Sequence, residues 1–393
     1  MHRKSWLAAC LLIVAAASLQ AAPFTPASDS EPVQKLPGRL DATERAQRVQ
    51  LARDPKQLPL ALATARAAIE RARRDGDPRE LGLAQAALAP WWGQSSPPPM
   101  VRLLRATVRQ SQHEFETALA DLDVLADAGD AVPLAVQAQA GLTRASVLQV
   151  LGRLDAARQG CERLASPRYA ALGRPLSIAA RACTAELRSL RGQPKAAAGE
   201  LDALLREAPG DAWVSLLRAE LAERIGDSVA ARQHFRAATA KGADIYAVAA
   251  FADWLLAQRR DAEALALLDS HDNDADALLL RRSIALSRLH DPRAPAAAAA
   301  LRSRFEAARQ RGQNFHAREE ARLALDVLGQ APQALALARV NWAQQKEPAD
   351  ALLLVRAAAA AGDGQAAEPV RRLVRDSGWV DVRLTDAALK GTP

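Results

Sequence analysis

The chain has 393 residues, of which 49% are hydrophobic and only 4% aromatic, and its formal net charge is +7. Its 52 basic and 45 acidic residues are interspersed, so the modest positive excess forms no dense basic cluster of the kind typical of nucleic-acid-binding proteins. Apolar residues recur at helical spacing, and no stretch alternates apolar with polar residues as a strand does. The composition therefore predicts an all-α protein and excludes a nucleic-acid partner.

The first 21 residues have the features of a secretory signal peptide. A basic start, MHRK, precedes an apolar run from Trp6 to Leu19 and small residues up to Ala21. A membrane-spanning helix needs about 20 apolar residues, so this run is short for an anchor and we expect cleavage after Ala21. A retained anchor and lipidation of Cys10 are the alternatives. A signal of this type predicts export to the periplasm of a bacterium.

Residues 22–50 are rich in Pro and Ser and predict a flexible leader, whereas residues 51–393 carry helical periodicity throughout. Within 51–393, turn residues interrupt the apolar stripes at intervals of about 34 residues. The turns fall at Gly76, His113, Gly152, Gly192, Gly226, Arg259, His290, Gly329 and Gly362. This spacing predicts nine helix pairs. A single pair cannot bury its apolar face alone, so the pairs are expected to stack into a solenoid.

The clearest pair extends from Trp213 to Thr239. Gly226 can adopt the positive φ that ends a first helix, and Asp227 can then cap the amide groups of a second helix. Small residues such as Ala231 stand where the two helices would touch. We expect the other pairs to have the same arrangement of two helices joined by a turn.

Three segments carry the repeat pattern best: GRLDAARQGCERL (152–164), GQPKAAAGELDALLREAPGD (192–211) and GDSVAARQHFRAA (226–238). With their period and Ala-rich contacts they are similar to tetratricopeptide repeats, and segments 81–123 and 341–363 resemble uncharacterised exported repeat proteins of proteobacteria. The resemblance implies a right-handed superhelix, with the first helix of each pair on the concave face. It implies a scaffold that binds a protein or peptide, and it implies no reaction.

The concave face of pairs three to five would carry Gln139, Ser146, Gln149, Glu186 and Glu220. Family members that clamp the carboxylate of a peptide use Lys, Arg and Asn on this face, so the carboxylate clamp is absent here. Two functions of other classes stay open. One is a hydrolase or transferase that uses the helical array as its structural support. The other is a structural protein that binds anionic envelope polymer through its excess of arginine.

The segment 90–99, PWWGQSSPPP, is the least helical part of the array because Pro and Gly interrupt it. Its tryptophans predict an accessory contact for the partner, since Trp is enriched at interaction hot spots. The candidate partner-binding residues are Trp91, Trp92, Arg102, Arg105 and Arg109. Alternatively, the tryptophans pack against Met100 and Leu104, and the arginines form a solvated helix face.

Motifs for catalysis and for metal binding are absent from the sequence. The six His residues include no pair at ligand spacing, and there is no phosphate-binding loop or nucleophile elbow. The segment 270–276 begins like a calcium loop, but Ala277 stands where such a loop requires Gly. A capping turn between repeats explains that segment better. We therefore predict a non-enzymatic protein without catalytic residues, metal or cofactor.

Two cysteines, Cys161 and Cys183, stay in the chain after the signal is removed. In an array of this kind they fall in the second helix of pair three and the first helix of pair four, which are antiparallel neighbours. We predict a disulfide between them, which an oxidising compartment would preserve. The alternative is a pair of small buried thiols that fill helix contacts.

Overall fold

The structure is a computed structural model that describes residue 28 and residues 42–240, 243–271, 275–310 and 316–384. The predicted signal peptide, most of the predicted leader and residues 272–274 of the capping turn lie outside these ranges. Residues 1–46 and 47–393 form two separate compact units. The larger unit carries the helix pairs.

All regular structure in the described ranges is helical. The α-helices span Ala42–Arg53 (α1), Leu58–Asp75 (α2), Arg79–Ala87 (α3), Ala89–Trp92 (α4), Pro99–Ser111 (α5), Phe115–Ala126 (α6), Leu134–Val150 (α7), Leu154–Leu164 (α8), Gly173–Ser189 (α9), Pro194–Glu207 (α10), Ala212–Ile225 (α11), Ser228–Ala238 (α12), Ile245–Ala257 (α13), Asp261–Asp269 (α14), Asp276–Arg288 (α15), Ala294–Gln310 (α16), Ala317–Asp326 (α17), Ala331–Gln344 (α18), Pro348–Ala360 (α19) and Glu368–Ser377 (α20). Helix α1 begins inside the segment 22–50, which the sequence indicates as a flexible leader.

Nine antiparallel helix pairs follow α1 in the described ranges, from α2/α3 through α5/α6 to α19/α20. Each of the nine predicted turn residues has a positive φ, between 54° at His290 and 82° at Gly226. At Gly226 this conformation lets the amide of Asp227 donate to the carbonyl of Ala222 (2.9 Å). The Asp227 side chain accepts from the amide of Ala230 (3.0 Å), as a helix cap does. The predicted all-α solenoid is confirmed.

Alanines let the helices of a pair approach closely. Ala219 and Ala222 on α11 and Ala231 on α12 are fully buried, and Phe235 fills the space beside them. Because a small side chain lets two backbones come near each other, the apolar stripe is buried by contact between helices rather than by a globular core. The same arrangement is repeated along the array.

The disulfide predicted from the sequence is present. Cys161 on α8 and Cys183 on α9 are bonded, and their Cα atoms are 5.9 Å apart. Both residues are buried in one apolar cluster. The bond therefore joins pair three to pair four across their packed helices.

Later pairs contact the turns of earlier pairs, which the sequence does not predict. The Lys346 amide donates to the carbonyl of Val150 (2.7 Å). At Gly192 a Cβ atom would lie 2.8 Å from the carbonyl oxygen of Gly378, so only glycine fits this approach. Near the C-terminus, the Val382 amide donates to the carbonyl of Arg224 (2.9 Å). The array thus winds tightly enough for residues 345–384 to close onto pairs three to five.

Candidate functional site

The first helices of neighbouring pairs are joined by polar side chains, and we call the surface that carries them the inner face. Three hydrogen bonds join α5 to α7, α7 to α9 and α13 to α11: Gln110 Nε2 to Ser146 Oγ (3.4 Å), Gln149 Nε2 to Glu186 Oε1 (2.6 Å), and Tyr246 Oη to Glu220 Oε1 (3.0 Å). Four of these residues are ones that the family resemblance assigns to the concave face. The inner face therefore carries polar contacts between neighbouring first helices.

Two carboxylates on the inner face, Glu186 on α9 and Glu220 on α11, have strongly perturbed acidity. Burial and then the charge of Glu186 raise the pKa of Glu220 to about 8, although Arg224 lowers it. Burial also raises the pKa of Glu186 above its usual value. Arg224 is itself buried and donates from Nη2 to Ser189 Oγ (2.7 Å). The Glu220 carboxyl is consequently mostly protonated at pH 7.

Two exposed aromatic residues lie beside these carboxylates. Trp213 on α11 is 42% exposed and Tyr246 on α13 is 55% exposed. Seven residues separate Trp213 from Glu220 and likewise Tyr246 from Asp253, so in each helix the aromatic side chain and the acid lie on one stripe. Two adjacent first helices thus repeat one arrangement, an accessible ring followed two turns later by a carboxylate.

Residues from pairs eight and nine face the same space. Arg318 on α17 binds both oxygens of Asp350 on α19 (2.6 and 2.9 Å) and donates to Glu347 Oε2 (2.7 Å). The charge of Glu220, then burial and the charge of Glu347, raise the pKa of Tyr246 well above its usual value, while Arg318 lowers it. Glu220, Arg318 and Glu347 therefore lie near enough to the Tyr246 hydroxyl to influence its ionisation.

The carboxylate of Asp253 on α13 is paired with arginines, unlike those of Glu186 and Glu220. Arg281 donates to Asp253 Oδ2 (2.5 Å), and Arg322 forms an ion pair with Oδ1 (2.8 Å). Although burial raises it, these two charges lower the pKa of Asp253 below its usual value. This carboxylate is therefore neutralised within the protein, whereas Glu186 and Glu220 form no ion pair in the part of the chain that the structure describes.

Two of the arginines predicted as partner contacts, Arg102 and Arg105, hold the 90–99 segment in place. Arg102 and Arg105 are buried and form ion pairs with Asp121 on α6 (3.3 and 2.7 Å). Arg109 also binds Asp121 (2.8 Å). Further donors of Arg102 and Arg105 bond to the backbone carbonyls of residues 92, 94 and 95. Arg102 and Arg105 are therefore neither exposed to a partner nor part of a solvated helix face, and a partner contact at Arg109 stays a prediction.

The two predicted tryptophans are partly buried. Trp91 and Trp92 pack against the apolar cluster of pair one, and the guanidinium of Arg109 lies 5.7 Å from the ring centroid of Trp92. Their packing explains why this irregular segment keeps its conformation. A contact between these tryptophans and a partner stays a prediction.

Sequence reasoning identified Glu186 and Glu220 but missed Tyr246, Arg318 and Glu347. The missed residues stand in pairs whose repeat pattern is weak, so their helical face was not assigned. A signal was available in the seven-residue spacing from Tyr246 to Asp253, which matches Trp213 and Glu220. Among the described residues there is no cluster of His, Cys, Asp or Glu suited to a metal ion. Nor does any described helix have the length and apolarity required to cross a membrane.

No protein-family model and no curated protein matches the chain. Among solved structures, a chain in the crystal structure of the APC/C hetero-tetramer Cut9-Hcn1 is similar, with 14% sequence identity and a TM-score of 0.36. The alignment covers 84% of the present chain and 71% of that chain. A similarity at this score supports no inference about partners, and the description of the fold rests on the helix pairs of this chain.

Proposed function

We propose that the protein is a non-enzymatic scaffold that binds a protein or peptide segment on its inner face. The observation that carries the proposal is the surface formed by α9, α11 and α13. There Trp213 and Tyr246 are substantially exposed, and Glu186 and Glu220 form no ion pair among the described residues. Trp and Tyr are enriched in binding hot spots, and a carboxyl group without an internal ion pair can form one with a ligand.

Rigidity supports this proposal. Neighbouring first helices are tied by hydrogen bonds, pairs three and four are joined by the disulfide, and residues 345–384 contact the earlier turns. A surface held in one shape loses little conformational entropy when a ligand binds, which favours affinity. The inner face is thus prepared for an extended segment.

A site-specific photocrosslinker tests the location of binding. Ala257 lies on the same stripe of α13 as Tyr246 and is exposed, while Ala237 is exposed on the outer helix α12. We expect a photoreactive residue at Ala257 to crosslink a partner in cells and the same residue at Ala237 to crosslink none. Equal crosslinking at both positions, or none at either, would contradict binding on the inner face.

We further propose that the mature protein works in the periplasm. The basic and apolar residues of 1–21 and the disulfide between Cys161 and Cys183 support this compartment, because disulfides persist where the environment is oxidising. N-terminal sequencing of the protein from a periplasmic fraction should find a start at Ala22. A retained Met1, or a lipid on Cys10, would contradict the proposal.

A further inference from the structure

On α9 and α11 the inner face carries two carboxyl groups, Glu186 and Glu220, that form no ion pair among the described residues. Glu186 and Glu220 on α9 and α11 are offset by one buried cation, Arg224. On the opposite side, the single guanidinium of Arg318 is shared between Glu347 and Asp350. Acidic groups therefore outnumber cations at these positions, and because the pKa of Glu220 is raised, its carboxyl can ionise when a cation approaches.

The accessible aromatic rings also favour a cationic ligand. The face of an aromatic ring attracts a cation through its quadrupole, most strongly for Trp and next for Tyr. Tyr246 lies within hydrogen-bond distance of Glu220, and Trp213 precedes Glu220 on the same stripe of α11. A cationic side chain that entered this surface would meet a ring and a carboxylate together.

From the accessible rings and the carboxyl groups that lack an ion pair, we infer that the inner face at α9, α11 and α13 binds a basic segment of a partner protein, with an Arg or Lys side chain seated between Trp213, Tyr246 and Glu220. This inference rests on the proposed scaffold function and specifies the chemistry of the ligand. It is the reverse of the carboxylate clamp, because the ligand supplies the positive charge and the scaffold supplies the negative one.

Binding of a cation changes the protonation of this surface. The raised pKa of Glu220 reflects burial, Glu186 from α9 and Glu223 from α11, with Arg224 and Tyr246 acting in the opposite direction. A bound guanidinium favours the ionised carboxylate, so a proton leaves as the ligand binds. Affinity for an arginine peptide therefore rises as the pH is raised from 6 to 9.

Calorimetry on the oxidised full-length protein tests the inference. The probe is a six-residue peptide of alternating Gly and Arg, acetylated and amidated, and its counterpart contains Glu in place of Arg. We expect the Arg peptide to bind and the Glu peptide to give no heat of binding. Glu220→Gln should weaken the Arg peptide about tenfold and remove most of the pH dependence.

The matched control is Glu116→Gln, which removes the same charge from an exposed position of α6 whose partner is Arg153. It should leave the affinity unchanged. Tyr246→Ala tests the ring independently, and it should weaken binding while Tyr246→Phe, which keeps the ring, retains most of it. Equal losses in Glu220→Gln and Glu116→Gln, or equal binding of the Glu peptide, would overturn the inference.

The crosslinking experiment separates this inference from the proposed function. If Ala257 crosslinks a partner through a segment that contains no Arg or Lys, the scaffold function stands and the basic-ligand inference is wrong. If crosslinking shows no preference for the inner position, the proposed function itself is wrong. A crosslinked segment rich in Arg or Lys supports both.

Discussion

Two clusters of charged residues in this chain are built in opposite ways. Around Asp121, three arginines share one buried carboxylate, and further donors of two of them bond to backbone carbonyls of the 90–99 segment. Around Glu220, carboxylates outnumber cations and two aromatic rings stay accessible. The carboxylate that supports the structure is thus neutralised by ion pairs, whereas Glu186 and Glu220 on the inner face form none among the described residues.

Packing decides whether regularly spaced arginines support the structure or face a partner. Arginines at helical spacing beside an irregular, Trp-containing segment suggest an interaction surface, yet Arg102 and Arg105 are buried supports. A single acid sixteen residues after Arg105, Asp121, decides the outcome. Its position on α6 becomes meaningful only when α5 and α6 are packed against each other.

The largest expected effect is at the supporting cluster. Asp121→Ala leaves three guanidinium groups without their shared carboxylate, two of them buried, so we expect a loss of about 3–5 kcal/mol in the free energy of unfolding. Denaturant unfolding followed by circular dichroism measures it. Asp123→Ala on the same helix removes a partly exposed ion pair with Arg144 and should cost less than about 1 kcal/mol. Equal losses of stability in the two variants would show that the cluster around Asp121 supports the structure no more than a partly exposed ion pair does.

The disulfide should have the next largest effect, because it joins pair three to pair four close to the acidic surface. Cys183 precedes Glu186 by three residues on α9. Replacing both cysteines with Ala removes the constraint on a 22-residue separation, which on the entropic model costs about 3 kcal/mol. The unfolding midpoint of the double variant should match that of the reduced wild-type protein. No difference between oxidised and reduced protein would show that the bond contributes nothing.

Packing between α11 and α12 should have an intermediate effect on stability. Ala231 on α12 is fully buried in the same apolar cluster as Ala219 and Ala222 of α11. Ala231→Leu should overpack this contact by about 1–3 kcal/mol. Arg232→Leu, at a partly exposed position paired with Glu263, serves as the control and should change stability little. If both variants melt alike, the assigned helical face in this pair is wrong.

The smallest expected effect on stability is at Glu220. Since its pKa is raised from 4.5 to about 8 in the folded protein, its protonated form is favoured by folding, and this contribution is complete below pH 4.5 and lost as the pH rises through 8. The carboxyl is only partly buried, so water screens the effect and we expect about 1 kcal/mol. Glu220→Gln should therefore melt at a higher temperature than wild type at pH 9 and at a similar one at pH 5. A lower melting temperature for Glu220→Gln than for wild type at pH 9 would contradict the raised pKa of Glu220.

Local chemistry fixed the helix pairs, and for this reason the sequence alone predicted them. A turn residue at Gly226 or Gly362 and a capping side chain at Asp227 act within a few residues, so their effect is visible in the sequence. The pairing of Cys161 with Cys183 was predictable for a related reason, because sequential helices of a stacked array are neighbours. The number of pairs and the fold class followed from these local signals.

The tertiary structure alone decided how far the array winds and which charges meet. Each pair is rotated slightly against its neighbour, and these rotations add up over many pairs, so the contact of Lys346 with Val150 has no local signature. The same accumulation brings Glu347 and Arg318 towards Tyr246. Whether a charged residue is a support or part of a binding surface depends on such distant partners, and this is why the sequence favoured the arginines at 102–109 over Tyr246.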